Sequence, residues 1–195
     1  MILEAFRKNI GKIIAALRAR VVEYLRAPSV PEIEFLNLTG NHGKLCASLR
    51  GLGHHKAANE IQTNALFVGR RWLQLGEEHL EDAIAALTTR KPRMVYSRTY
   101  YAAYNASKAV RYIVYGSVSL LGDDHKQASD LPDDFPHIDK WAEALPKLRE
   151  HRLLSDYDNW QTTKASFNLD IEEAVMLARE FIADAQSYLD AKFGD

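Results

Sequence analysis

The stretch Met94-Val95-Tyr96-Ser97-Arg98-Thr99-Tyr100-Tyr101-Ala102-Ala103-Tyr104-Asn105-Ala106-Ser107-Lys108-Ala109-Val110-Arg111-Tyr112-Ile113-Val114-Tyr115 contains neither Gly nor Pro. Small and aromatic side chains recur along it, which suits a closely packed helical face. Residues 94–115 are therefore read as one helix, ended by Gly116. Tyr96, Tyr100, Tyr101, Tyr104 and Tyr112 are core or interface mass first, with hydroxyls that seek polar partners. Arg98, one turn before Ala102, is by default an exposed helix Arg that could stand at the mouth of a pocket.

Working outward, Thr88-Thr89-Arg90-Lys91-Pro92 is a short linker behind a second helical pattern over residues 56–87. There Leu66, Leu73, Leu80, Ala83, Ile84 and Leu87 form one broad face, with Glu77, Glu78, Glu81 and Asp82 opposite. Gly69 and Gly76 weaken this helix without having to break it. A linker this short forces the two helices to pack antiparallel. Downstream, Gly122-Asp123-Asp124-His125 reads as an acidic N-cap before a segment 125–131. Residues 132–136 make a loop, and 138–148 read as a helix anchored by Trp141, Leu145 and Leu148, with Pro146 as a kink or a start. Asp170-Ile171-Glu172-Glu173 opens a last helix in the manner of a capping box, followed by the stripe Val175, Ala178, Phe181, Ile182, Ala185 and Leu189.

Upstream, residues 2–26 place Leu3, Phe6, Ile10, Ile13, Ile14, Leu17, Val21 and Tyr24 at helical spacing. Arg7, Lys8, Lys12, Arg18, Arg20 and Arg26 outweigh Glu4 and Glu23, so this amphipathic helix is basic. Pro28 and Pro31 fence off a connector, Asn37-Leu38-Thr39-Gly40-Asn41-His42-Gly43 reads as a turn, and a short helix fits residues 44–50. Strand patterns are absent apart from a short candidate at 33–38. The fold class expected is all-α.

The 195 residues carry a formal net charge of −1, with 47% hydrophobic and 26% charged residues. These proportions belong to a folded globular chain and exclude a disordered one. Near-neutral charge excludes a global electrostatic grip on nucleic acid but leaves room for a local basic patch. No apolar run reaches the roughly 20 residues that span a bilayer, so no membrane partner and a cytoplasmic location are expected. Cys46 is alone, which excludes an internal disulfide and a cysteine-based zinc site. His42, His54 and His55 lack acidic or cysteine companions at ligand spacing, so no metal and no cofactor is expected.

The second informative stretch is Arg152-Leu153-Leu154-Ser155-Asp156-Tyr157. Taken with Ser97-Arg98-Thr99-Tyr100-Tyr101-Ala102-Ala103-Tyr104 and His125-Lys126, it resembles the HEPN superfamily. The likeness is to small prokaryotic HEPN proteins whose pattern reads Ser-Arg-x-Tyr-Tyr-Ala-Ala-Phe, then His-Lys, then Arg-x-x-x-Asp-Tyr. It implies a HEPN-like antiparallel helical bundle over residues 66–195. Residues 1–65 would then be a helical extension, serving oligomerisation or partner docking.

The resemblance also implies a homodimer, and a place in a toxin–antitoxin or defence module beside a nucleotidyltransferase or another partner. RNA is the implied ligand. HEPN ribonucleases are similar in pairing an Arg with a His shortly downstream, and here Tyr157 stands where that His could be. Attack by an RNA 2′-hydroxyl needs a proton acceptor near neutral pH and a cation for charge at phosphorus. A phenol, with an ordinary pKa of about 10 against about 6.5 for imidazole, is a poor acceptor. The expectation is a non-catalytic RNA- or partner-binding protein, with Arg152, Asp156, Tyr157 and Arg98 as a degenerate HEPN site. The alternative is a metal-independent endoribonuclease using Arg152 and an unidentified base.

Three local geometries follow from a regular helix. Arg152 and Asp156 share a face and can pair. Arg152 and Tyr157 point about 140° apart, so a shared pocket requires a helix end or a second subunit. His151 points about 100° away from Arg152 and is no evident substitute base. Arg50 and His55 repeat the Arg-to-His spacing outside the resembling region, with no role implied.

Overall fold

The fold is taken from a computed structural model, which describes residues 40–119, 124–158 and 167–194. Among them are α1 (His42–Gly51), α2 (His55–Thr88), α3 (Pro92–Tyr115), a 3-10 turn (Asp124–Gln127), α4 (Ile138–Tyr157) and α5 (Ile171–Phe193). The architecture is an all-α helical bundle with no strand among the described residues. The basic helix read over 2–26 and the candidate strand at 33–38 lie outside the described residues.

α3 is the axis of the bundle and packs against α2, α4 and α5. Of its 24 residues 15 are buried, which a helix with one neighbour could not achieve. Ala102, Ala103, Ala106 and Ala109 are all fully buried, so neighbouring helices approach its backbone closely. The Ala and Tyr surplus is thus consumed within this chain.

α2 runs antiparallel to α3, Gly69 facing Ile113 and Gly76 facing Ala102 and Ala106. These glycines are contact points, where the sequence suggested only weakness. A Cβ on Gly76 would lie 2.8 Å from the Ala102 carbonyl oxygen, and backbone cannot step aside. At Gly69 a Cβ would come closer still to Ile113 Cγ1, the root of a buried β-branched side chain that a helix holds to one preferred rotamer. Gly76→Ala and Gly69→Ala are each expected to destabilise the protein by about 1–3 kcal/mol. Thermal unfolding of the two variants checks this.

Three expectations change in the structure. α4 passes through Pro146 and continues to Tyr157 instead of ending near residue 148. Buried Leu145, Leu148 and His151 hold it against the core, which offsets the hydrogen bond that Pro146 cannot donate. Asp124 is not an exposed helix cap but a buried ion-pair partner of Arg111. The segment after it forms only one 3-10 turn. Asp170 does cap α5, accepting hydrogen bonds from the backbone N–H groups of Glu172 and Glu173.

α1 sits against the first turns of α2 over a small cluster of Cys46, Leu49, Ala57, Ala58 and Ile61. This cluster is separate from the main core, which begins at Ala65. α2 crosses the 65/66 division without a break. Gly116, at φ 70, caps α3 and receives a hydrogen bond at its carbonyl from the Gly43 N–H, 2.9 Å. His42 adds a hydrogen bond to the Tyr112 carbonyl at 2.8 Å. A protein starting at Asn64 is expected to unfold cooperatively, because the main core is nearly intact, but at a lower temperature through loss of the His42 and Gly43 contacts. A non-cooperative melt of that shortened protein would place the boundary elsewhere.

Candidate functional site

α3 and α4 bring the motif residues together on one face. The Arg152 Nη2 donates to the Tyr101 hydroxyl at 2.6 Å and to the Tyr157 hydroxyl at 3.2 Å. Its Nε lies 2.9 Å from the Asp156 carboxylate. That short distance is an ion pair and not a hydrogen bond, because the Nε–H does not point at the acceptor. The guanidinium carbon lies 5.3 Å from the centre of the Tyr101 ring and 4.9 Å from that of Tyr157, within cation–π range.

Arg152 and Tyr157 meet because α4 ends at Tyr157, the helix-end solution that the 140° separation demanded. Arg93, from the first turn of α3, secures that end by donating to the Ser155 carbonyl at 3.1 Å and the Asp158 carbonyl at 2.7 Å. Tyr157 is held there with 65% of its surface exposed.

Arg98 belongs to a neighbouring group. Its Nη1 is 3.3 Å from His79 Nδ1 and its Nε 3.7 Å from Asp82, both on α2. The His79 ring packs at 5.7 Å from Tyr101, which links the two groups. Burial and the charge of Arg98 push the His79 imidazole below its ordinary pKa. Arg98 thus ties α3 to α2 and is not an unpaired cation at a pocket mouth.

On the other side of Tyr101, the 3-10 turn lays His125 along α3. Its Nδ1 is 2.9 Å from the Tyr100 hydroxyl and its ring stacks on Tyr104 at 4.2 Å. Asp124 anchors the turn by accepting from Arg111 Nη1 at 2.8 Å and Nη2 at 3.0 Å, and from the Tyr104 hydroxyl at 2.7 Å. Burial would raise the Asp124 carboxyl, but the hydrogen bonds and charge of Arg111 outweigh it and hold the group below its usual range. Burial pushes the Tyr100 phenol up to about 12, so it stays protonated. Burial and the charges of Arg152, Arg149 and Lys108 depress His125, against Asp124 alone on the other side.

His151 is structural. Its ring is 1% exposed, Nδ1 lies 2.8 Å from the Lys147 carbonyl and Nε2 accepts the Leu169 N–H at 3.2 Å. Both nitrogens are engaged, so it offers no base to Arg152. Arg50 is likewise occupied, donating to Asn59 and Gln62. Among the described residues no group of three His, Cys, Asp or Glu is placed to hold a metal ion. No helix there is long and apolar enough to cross a membrane.

A family model described as the HEPN domain matches residues 70–188, more than half of the chain. The chain belongs to the HEPN family. No curated protein and no solved structure matches it. The matched span covers most of α2, all of α3 and α4, and α5 as far as Tyr188. The groups around Arg152, Arg98 and His125 fall inside it, whereas α1 and its small cluster fall outside. Of the four residues named from the sequence, the structure sets Arg152, Asp156 and Tyr157 side by side and puts Arg98 in the adjoining group with His79 and Asp82. Sequence reasoning gave no role to His79, to the Arg111 pair with Asp124, or to Arg149, which lies three residues before Arg152. The helical spacing of Arg149 was a usable signal; the contacts of His79 and Arg111 join residues distant in sequence and left none.

Proposed function

We propose that this HEPN protein is a non-catalytic RNA-binding component of a prokaryotic toxin–antitoxin or defence module, and that it works as a homodimer. The observation that carries the ligand class is Tyr157, a 65% exposed ring held against the Arg152 guanidinium at a helix end. An exposed ring beside cations is the chemistry that stacks bases and tracks the phosphates of a single strand. Arg152 itself is engaged by Asp156, Tyr101 and Tyr157, which favours a role in presenting the ring over one in stabilising charge at phosphorus. The module and the dimer are supported by the habits of the family. A nucleotidyltransferase or similar protein encoded next to this one would be the partner to test first.

Anisotropy titration of single-stranded RNA at low salt tests the ligand, and light scattering tests the dimer. Wild-type protein is expected to bind RNA, and Tyr157→Ala to weaken binding by about tenfold, in keeping with about 1–3 kcal/mol for one stacked base. Absence of wild-type binding would remove RNA as the ligand and leave a protein partner for this surface. A monomer at micromolar concentration would remove the dimer.

A further inference from the structure

Arg149 stands one turn before Arg152 on α4, so the two guanidinium groups share a helix face. Arg152 has a carboxylate and two hydroxyls around it. Arg149 has no such partner among the described residues, and its side chain is half-buried. Arg152 donates to Tyr101, whose ring centre lies 6.1 Å from that of His125, so this face of α4 adjoins the His125 turn, where the charges of Arg149 and Arg152 both disfavour a protonated imidazole. The charge of this face that no carboxylate or hydroxyl among the described residues engages is therefore that of Arg149.

His125 is set up to work beside it. One edge of the ring is fixed by Tyr100, one face by Tyr104, and the backbone before it by the buried Asp124. Nε2 has no partner among the described residues, and the ring is half-buried. An imidazole fixed on one edge, with no described partner on the other, presents a preorganised hydrogen-bonding group.

We propose that Arg149 and His125 form the phosphate subsite of the RNA-binding surface, Arg149 supplying the permanent charge and His125 Nε2 the hydrogen bond, with Arg152 acting through Tyr101 and Tyr157 as a positioning residue. This rests on the RNA reading above and names the group of the ligand that is held. The groups facing His125 are Tyr100, Tyr101, Tyr104 and Lys108 on α3, and Arg149 and Arg152 on α4. Its neighbour Asp124, also paired with Arg111, is the one negative charge among the described residues that opposes them. Burial disfavours the charged ring and the surrounding cations add to that effect, so the free protein holds it neutral. A bound phosphate reverses the local field, so the complex takes up a proton and tightens as pH falls through the neutral range.

The test is RNA affinity measured with a labelled single-stranded oligouridylate at several salt concentrations and pH values. Arg149→Gln is expected to weaken binding by about tenfold and to reduce the salt slope by about one, while Arg149→Lys keeps most of the affinity. Wild-type affinity is expected to rise from about pH 8 to about pH 6, and His125→Gln to remove that rise. Arg179→Gln on α5 serves as the control for a lost surface charge. An unchanged affinity and slope in Arg149→Gln, with Tyr157→Ala still impaired, would overturn the subsite and leave the RNA reading standing. A pH dependence that survives in His125→Gln would remove His125 from it. If RNA does not bind at all, inorganic phosphate decides the subsite alone. The His125 imidazole NMR signals should then move with phosphate in the wild type and stay still in Arg149→Gln, and no movement in the wild type would overturn the proposal.

Discussion

Asp124→Ala is expected to cost about 3–5 kcal/mol of folding stability. Arg111 and Asp124 are each 3% exposed in their side chains and joined by two hydrogen bonds. Removing the carboxylate leaves a guanidinium desolvated and unpaired, with only the Ser107 hydroxyl at 3.2 Å from its Nε. It also orphans the Tyr104 hydroxyl, whose hydrogen bond runs to the same carboxylate. Against a total stability of about 5–15 kcal/mol for a domain, the variant would sit near the edge of folding. Replacing both partners by apolar residues, as in Arg111→Met with Asp124→Leu, should cost less than either change alone, because no charge is left stranded. Urea titration of the two single variants and the double variant checks the order.

The same pair sets a pH dependence. The folded-state pKa of Asp124 lies below its unfolded value. Its contribution is therefore fully present above about pH 4 and is lost as pH falls through the lower folded value. Asp124→Asn should flatten that acid limb of the stability curve. Because His125 follows Asp124 directly, the variant should also disturb the ring that packs on Tyr104.

The second large effect concerns chemistry. Wild-type protein is expected not to cleave RNA, and Tyr157→His to introduce metal-independent cleavage at least about a hundredfold above wild type. The phenol oxygen of Tyr157 is already 3.2 Å from Arg152 Nη2, so an imidazole built at that position enters beside a guanidinium. It would accept the proton of the attacking 2′-hydroxyl near neutral pH, while loss of the Tyr157 hydroxyl releases one contact of the Arg152 guanidinium and frees it to face the charge gathering at phosphorus. Adding Arg152→Ala should abolish the new activity. Cleavage by the wild type that resists EDTA and vanishes in Arg152→Ala would establish the endoribonuclease alternative instead. A silent Tyr157→His variant would show that the engagement of Arg152 by Asp156 and Tyr101 has closed the site to catalysis.

Hydrophobic spacing, linker length and cap chemistry determined the all-α class, the antiparallel pairing of α2 with α3 and the capping of α5 by Asp170, because all three are local properties. The pairing of Arg152 with Asp156 was legible for the same reason, as an i,i+4 relation on one helix. Tertiary structure decided the rest. Gly76 reads as a weak helix residue until the Ala102 carbonyl is placed against it. Asp124 reads as a surface cap until Arg111, 13 residues earlier, is folded onto it. Arg98 reads as a free cation until α2 brings His79 and Asp82 alongside. Asp156 marks Arg152 as paired along the chain, whereas Leu153 stands four residues after Arg149, and only the fold adds the Tyr101 hydroxyl that completes the engagement of Arg152. Burial, desolvation and the satisfaction of polar groups depend on neighbours far apart in sequence, and no local pattern encodes them.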